Sequence, residues 1–330
     1  LKAGVYEVSG LLMKSNVRLL GEGDGTILRA PAGLGATATL LRNATQGSYA
    51  DVNITLENLV FDGNGNGKGG GTQARFTELV SMARVTGLRV RGVTVRNVGY
   101  IGMAIGGCRR VLVDGASRFT DCGWDGSTSN AGPALWVAST GADASRDVKV
   151  IGCEIHDNRW TGLQLNCIGG LAKGNTFRNN QENHIFSSYL LPNTISDGIV
   201  IDGNTFDTVR KRDISSHAIE VGSRRLVIVN NTITNCDHGG IALTDVQDAV
   251  IANNVIGNFT QLAGVGWGGI DFICSGAGAD KLRNVTVIGN RVYDNQGVPT
   301  TRHAVRFIGV GDVAENVAII DNDFSGTAFT

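Results

Sequence analysis

A chain of 330 residues with 42% hydrophobic content is long enough for one large elongated domain, and 29 basic against 30 acidic side chains leave a formal charge of −1. That balance removes the electrostatic basis for binding nucleic acid or an anionic membrane surface. There is no apolar run of about 18 residues, so nothing reads as a membrane-crossing helix.

In chain order, residues 1 to 33 read as an opening coil, with a strand and turn over Asn16 to Gly23. Residues 51 to 63 alternate as the next strand pair. A glycine-rich excursion from Asn64 to Thr72 follows and reads as an exposed loop. It lacks the strand–loop–helix setting a phosphate cradle needs.

From residue 88 the pattern becomes regular, and residues 198 to 246 contain one unit twice. Each copy has an apolar alternation (Ile199, Ile201; Val227, Val229), an Asn-containing bend (Asn204; Asn231) and a second short alternation (Phe206; Ile233). A polar excursion then leads to a third alternation opening on a small residue (Ala218; Gly240). Period-2 patterning in runs this short means half-buried strands. Three strands per copy, repeated at this period, predict an all-β solenoid with three strands per coil.

The third strands begin at Gly102, Ala134, Gly162, His184, Ala218, Gly240, Gly269 and Ala304. Side chains alternate across a strand, so the third residue of each points outward. The outward column then reads Ala104, Trp136, Gln164, Phe186, Glu220, Ala242, Asp271, Arg306. An idle outer face would show scattered Thr, Ser, Lys and Val instead.

The bend asparagine recurs as Asn175, Asn204, Asn231, Asn254, Asn290 and Asn322, and Glu57-Asn58 reads as an early copy. Asn tolerates the left-handed backbone region, and its amide bonds well to backbone groups. Stacked in successive coils, these amides form a ladder. That ladder resembles the one in right-handed parallel β-helices of the pectate lyase and polygalacturonase superfamily, and the resemblance covers nearly the whole chain as a single domain, residues 1–330. The opening Leu1 to Gly10 resembles the stretch that follows an N-terminal capping helix there, and the last coil stops before its third strand. Both caps are therefore expected to lie outside this sequence.

Six cysteines show no metal-ligand spacing, and Cys167 and Cys274 fall at inward positions, where buried free thiols are expected.

Three constellations could carry chemistry. Glu220 and Asp271 share the outward column with Ala242 between them. Stacked strands at ~4.8 Å place their backbones about 10 Å apart, with open space over the alanine. That suits a carboxyl pair admitting a water beside a sugar, although two solvated surface acids are the plainer reading. His184, His217 and His238 lie before or at the start of three consecutive third strands, with His303 placed likewise farther on. They are expected along one edge of the groove, where His217 or His238 could move a proton near neutral pH. Turn histidines that merely bond the neighbouring coil are the alternative. Finally, Arg212 in the basic loop Arg210–Asp213 could hold an anionic sugar, with His184, Trp136, Gln164, Phe186, Trp267 and Arg306 completing a sugar-contacting surface and Trp160 in a matching turn. No compact spacing supports a metal, and no cofactor is implied.

The motifs of the superfamily's best-known enzymes are missing, polygalacturonase Asn-Thr-Asp and Gly-His-Gly and the Asp-Pro-His-Glu of mannuronan C5-epimerases among them. No catalytic residue carries over, and fold alone does not settle function. The preferred expectation is a polysaccharide-cleaving glycoside hydrolase working through Glu220 and Asp271. The second is a uronate lyase or epimerase with a histidine base and Arg212 or Arg306 neutralising the carboxylate. The third is a non-catalytic glycan-binding module of tailspike type. The partner is a polysaccharide or oligosaccharide, with no nucleic acid and no membrane. The resemblance implies an extracellular, periplasmic or virion-associated setting. Sugar, linkage and assembly stay open, a homotrimer among the options.

Overall fold

The computed structural model describes residues 1–32, 39–65, 78–123, 132–139, 143–188, 196–208, 217–260, 266–274, 282–296, 303–309 and 314–326. Among these residues the secondary structure is strand and turn, as the short alternating runs require. The strands stack in parallel into two sheets of 21 and 11 strands. One coil shows the plan: Asp197–Asp202 and Thr205–Asp207 belong to the large sheet, and Ile219–Val221 belongs to the small one. In two coils the first pair of strands runs on as one, Val52–Asp62 and Thr86–Arg96. Asn58 (φ 52°) and Gly92 (φ 57°) turn the chain inside them, so the large sheet wraps round the bend without a break. The glycine-rich loop predicted from Asn64 to Thr72 lies mostly outside the described residues. No helix among the described residues is long and apolar enough to cross a membrane.

Inward positions stack like on like. Phe177 pairs with Phe206 and Phe206 with Ile233 in successive coils. The two phenyl rings lie 4.9 Å apart and 17° from parallel. The inward residues of the small sheet from Met103 to Phe272 are buried, Ser187 included. Cys167 is a buried free thiol as expected, whereas Cys274 is only half-buried.

The ladder forms as read. Asn175 Nδ2 donates to Asn204 Oδ1 (2.9 Å), Asn204 to Asn231 (3.0 Å), Asn231 to Asn254 (2.9 Å), Asn254 to Asn290 (2.9 Å) and Asn290 to Asn322 (3.0 Å). Each rung also bonds a carbonyl of an adjacent coil, as Asn231 does with Ile201 O at 2.9 Å. The left-handed residue, however, is the one before each rung: Gly174, Gly203, Asn230, Asn253, Gly289 and Asp321 have φ between 54° and 64°. The pair therefore divides two tasks, the first residue bending the chain and the second satisfying buried polar groups. Asn58 is a bender, and the next residue in its column is Leu59, paired with Val93. The early copy predicted at Glu57-Asn58 is thus not a rung.

Separations between rungs of 29, 27, 23 and 36 residues show that coil length is free while register is not. Replacing Asn231 by Leu leaves the Asn204 N–H (2.9 Å) without its acceptor and removes the side-chain donor to Asn254 Oδ1 and to the Ile201 carbonyl. Asn231→Leu is expected to cost about 1 to 3 kcal/mol in chemical denaturation. An unchanged unfolding midpoint would refute the ladder's contribution.

Candidate functional site

The outward column assembles in the expected register. Ala104 pairs with Trp136, Trp136 with Gln164, Gln164 with Phe186, Phe186 with Glu220, Glu220 with Ala242, Ala242 with Asp271, and Asp271 with Arg306. What the structure changes is which of these face open space. A cleft of about 300 Å³ is lined by Trp160, Gln164, Glu182, Asn183, Phe186 and Glu220, with Thr161 at its wall. Asp271, Ala242, Trp267 and Arg306 do not reach it.

Glu220 sits in this cleft one coil beyond Phe186. Its Oε2 accepts a hydrogen bond from Asn183 Nδ2 at 3.1 Å, and the same amide donates to the His217 carbonyl at 3.0 Å. Burial pushes the Glu220 carboxyl above its ordinary range, and the His217 charge and Asn183 bond offset this only in part.

Asp271 is enclosed, with no exposed side-chain surface, and so is the Ala242 that was expected to leave an opening. Its Oδ2 accepts from His217 Nε2 (2.8 Å) and from the Gly268 N–H (2.9 Å), and its Oδ1 from Arg306 Nε (2.7 Å). Burial alone would raise the Asp271 carboxyl. The bond and charge of His217, then those of Arg306, outweigh it and hold the group below the usual carboxylate range. The lid over this cluster is Trp267, from the turn before Gly268–Cys274. Its ring meets His217 edge-on (5.0 Å), stacks on His238 (6.1 Å, 24°) and carries the Arg306 guanidinium at 4.6 Å. Arg306 also bonds the Gly266 carbonyl. Trp267 and Arg306 are thus engaged by the protein itself, and the pair expected to flank a water is split between an open cleft and a closed cluster.

The histidines do not line one edge. Ile185, Ile219 and Ile241 are in register, and His184, His217 and His238 stand one, two and three residues before them. His184 is separated from the other two, while the rings of His217 and His238 both pack on Trp267. His184 enters the core, 5.9 Å from Phe177 and 5.8 Å from Phe206, and burial lowers its pKa to about 3. His217 and His238 are enclosed as well, 1% and 0% exposed. His217 reaches Asp271 across an intervening coil only because that coil has Gly239 there. A Cβ on Gly239 would lie 2.3 Å from His217 Cδ2. Arg212 and the basic loop around it lie outside the described residues.

Sequence reasoning missed Glu182, Asn183 and Thr161 at the cleft and Gly239 beneath the histidine. A glycine opposite a large polar side chain in the neighbouring coil was the one available signal. Among the described residues no group of three or more His, Cys, Asp or Glu side chains could hold a metal ion.

A family model described as "Right handed beta helix region" matches residues 78–206 and 137–326. The chain belongs to the right-handed β-helix family. No curated protein is significantly similar to this β-helix in sequence. Among solved structures it is similar to the mannuronan C-5 epimerase AlgE6 A-module of Azotobacter vinelandii, with 14% identity, 99% of this chain and 87% of that one covered, and a TM-score of 0.70. It is also similar to PfbA, a surface adhesin of Streptococcus pneumoniae (13%, 100% and 83%, TM-score 0.66). A third is the catalytic domain of a GH87 α-1,3-glucanase in complex with tetrasaccharides (13%, 98% and 64%, TM-score 0.64). Identities this low show a shared fold.

Removing Asp271 takes the acceptor from the enclosed His217 Nε2 and from Arg306 Nε. Asp271→Ala is expected to lower stability by about 3 to 5 kcal/mol. Because the Asp271 pKa is depressed in the folded state, its contribution is fully present above the unfolded-chain value near 4. It fades as pH falls through the folded value. The stability gap between parent and variant, measured by denaturation at several pH values, should therefore narrow under acid conditions. A pH-independent gap would show that the charge on Asp271 is not the cause.

Proposed function

We propose that this β-helix is an exported carbohydrate-active enzyme that hydrolyses a neutral glycan in the Glu220 cleft. The observation that carries the reading is a carboxyl pushed toward its protonated form inside a cleft shared with a second carboxyl, Glu182. A protonated acid beside a second carboxyl in one sugar-sized space is what glycosidic cleavage requires. Glu220 is the general acid that protonates the leaving oxygen. Glu182 is the partner carboxylate, in place of the enclosed Asp271. Trp160 and Phe186 offer apolar faces to sugar C–H surfaces, while Gln164, Asn183 and Thr161 offer hydroxyl-binding groups. Asp271, His217, Arg306 and Trp267 become the rigid wall behind Glu220, and Asn183 ties the two parts together.

The substrate class follows from charge. Among the described residues the cleft is lined by no cationic side chain that could pair with a uronate, and the Glu182 carboxylate repels one. The lyase or epimerase alternative needs an accessible histidine base, and His217 and His238 are enclosed. Two of the similar structures are a C-5 epimerase module and a glucanase complexed with tetrasaccharides, which supports the broad class. The adhesin among them is the reason to measure binding apart from turnover.

Glu220→Gln and Glu182→Gln should each reduce turnover of a neutral polysaccharide by about 10² or more, with folding intact by circular dichroism. A raised Glu220 pKa should keep activity at pH values above the ordinary glutamate range, and the Gln variant should lose that alkaline limb. Cleavage confined to uronic-acid polymers, with ultraviolet-absorbing unsaturated products, would replace this reading with elimination. Near-normal turnover in both variants would move the site off this cleft.

A further inference from the structure

A second hollow, of about 410 Å³, opens on the same face toward the N-terminus, among Gln46, Glu78, Ser81, Ala104, Trp136 and Ser139. It belongs to the column that ends at Glu220. Ser81 pairs with Ala104 and Ala104 with Trp136, and the register continues through Gln164 and Phe186 to Glu220. Five steps of ~4.8 Å put Ser81 about 24 Å from Glu220 along the helix axis, several sugar residues away. Trp136 bounds this hollow, and Gln164 in the next coil bounds the Glu220 cleft, so one hollow begins where the other ends.

The hollow is built rather than incidental. Ala104, one carbon long, leaves depth between Ser81 and Trp136. Gln46 Nε2 donates to Ser81 Oγ (3.0 Å) and O (3.3 Å). Arg84, which bonds the Gln46 carbonyl at 2.8 Å and Asp143 at 2.8 Å, fixes that wall from behind. Trp136 Nε1 and Ser139 Oγ are buried and have no hydrogen-bond partner among the described residues. Unsatisfied buried donors are costly, and a ligand hydroxyl would relieve them. Glu78 is the single ionisable group lining the hollow among the described residues, so it favours the neutral ligand class of the first cleft.

We infer that this hollow is a distal subsite for the same glycan, whose chain lies along the helix axis with one sugar against Trp136 and another at Glu220. The ligand class rests on the reading of the Glu220 cleft; the geometry of the subsite does not. Trp136 and Phe186, two strands apart in the column, would then contact separated sugars of one chain. An enzyme with this arrangement prefers long chains.

The test uses the Glu220→Gln chain, titrated by calorimetry with linear neutral gluco-oligosaccharides from disaccharide to hexasaccharide. The hexasaccharide is expected to bind at least about tenfold more tightly than the disaccharide, and Trp136→Ala to remove about that factor, the size of one good aromatic contact. Disaccharide affinity should not change. Hydrogen exchange of the chain with Trp136 intact should show hexasaccharide protection at Ala104–Gly106, so the result does not depend on how the variant folds. Affinity independent of length, protection confined to residues 182–220, or undiminished hexasaccharide binding by Trp136→Ala would each overturn the subsite. Hexasaccharide protection of both hollows, with no product released by the parent chain that keeps Glu220, would sink the hydrolase reading and leave this one standing.

Discussion

Everything in this molecule hangs on one coil lying in register on the next at the bend, where buried amides and carbonyls must find partners outside their own strand. The asparagine column meets that requirement by bonding both to the neighbouring rung and to a neighbouring carbonyl. A residue in the left-handed region immediately before each rung turns the chain so that the amide points inward. Since the rungs fix register, the remaining length of each coil is free to vary. Chemistry-bearing turns could therefore be inserted without disturbing the stack, and they lie beside the small sheet.

Register also explains why neighbours in one outward column have opposite environments. Glu220 and Asp271 are two strands apart on the same face, yet one lines a cleft and the other has no exposed surface. The difference is a turn. Trp267 packs on the His217 and Arg306 that hold Asp271, and His217 crosses from two coils away over the missing side chain of Gly239. An enclosed carboxylate survives only with such partners, and here a backbone N–H, an imidazole and a guanidinium supply them. Glu220 has fewer partners, and burial dominates its protonation.

The charge pattern along the face narrows the ligand more than the fold does. Parallel β-helices with similar backbones include an epimerase module, an adhesin and a glucanase, so the backbone leaves the chemistry open. Under the proposed function, hollows lined by acidic and no cationic side chains among the described residues, with tryptophan and phenylalanine along the column, suit uncharged sugar rings better than uronates. Two hollows in one column make the helix axis the natural direction for a chain.

Much of this could be read from the sequence. The alternation gave the strands, the recurring Gly-Asn and Asn-Asn pairs gave the bends, and counting from them placed Trp136, Gln164, Phe186, Glu220, Asp271 and Arg306 in one column with correct pairings. Those features are local or repeat with the coil, so they survive in one dimension. Accessibility does not. The enclosure of Asp271 depends on His217 and Arg306, both packed against a tryptophan four residues away in sequence, and whether His217 can reach it depends on a glycine one coil on. Three histidines that look equivalent in sequence stand at offsets of one, two and three residues from the registered isoleucines, and His184 enters the core while His217 and His238 both pack on Trp267. Asn183 is held at the cleft by bonds across to the next coil, at the His217 carbonyl and Glu220, and Glu182 lies beside it in the lining. The sequence by itself determined the coil, its register and the face. The packing of turns across coils decided which residues on that face meet solvent, because side-chain direction alternates with every residue while turn length obeys no period.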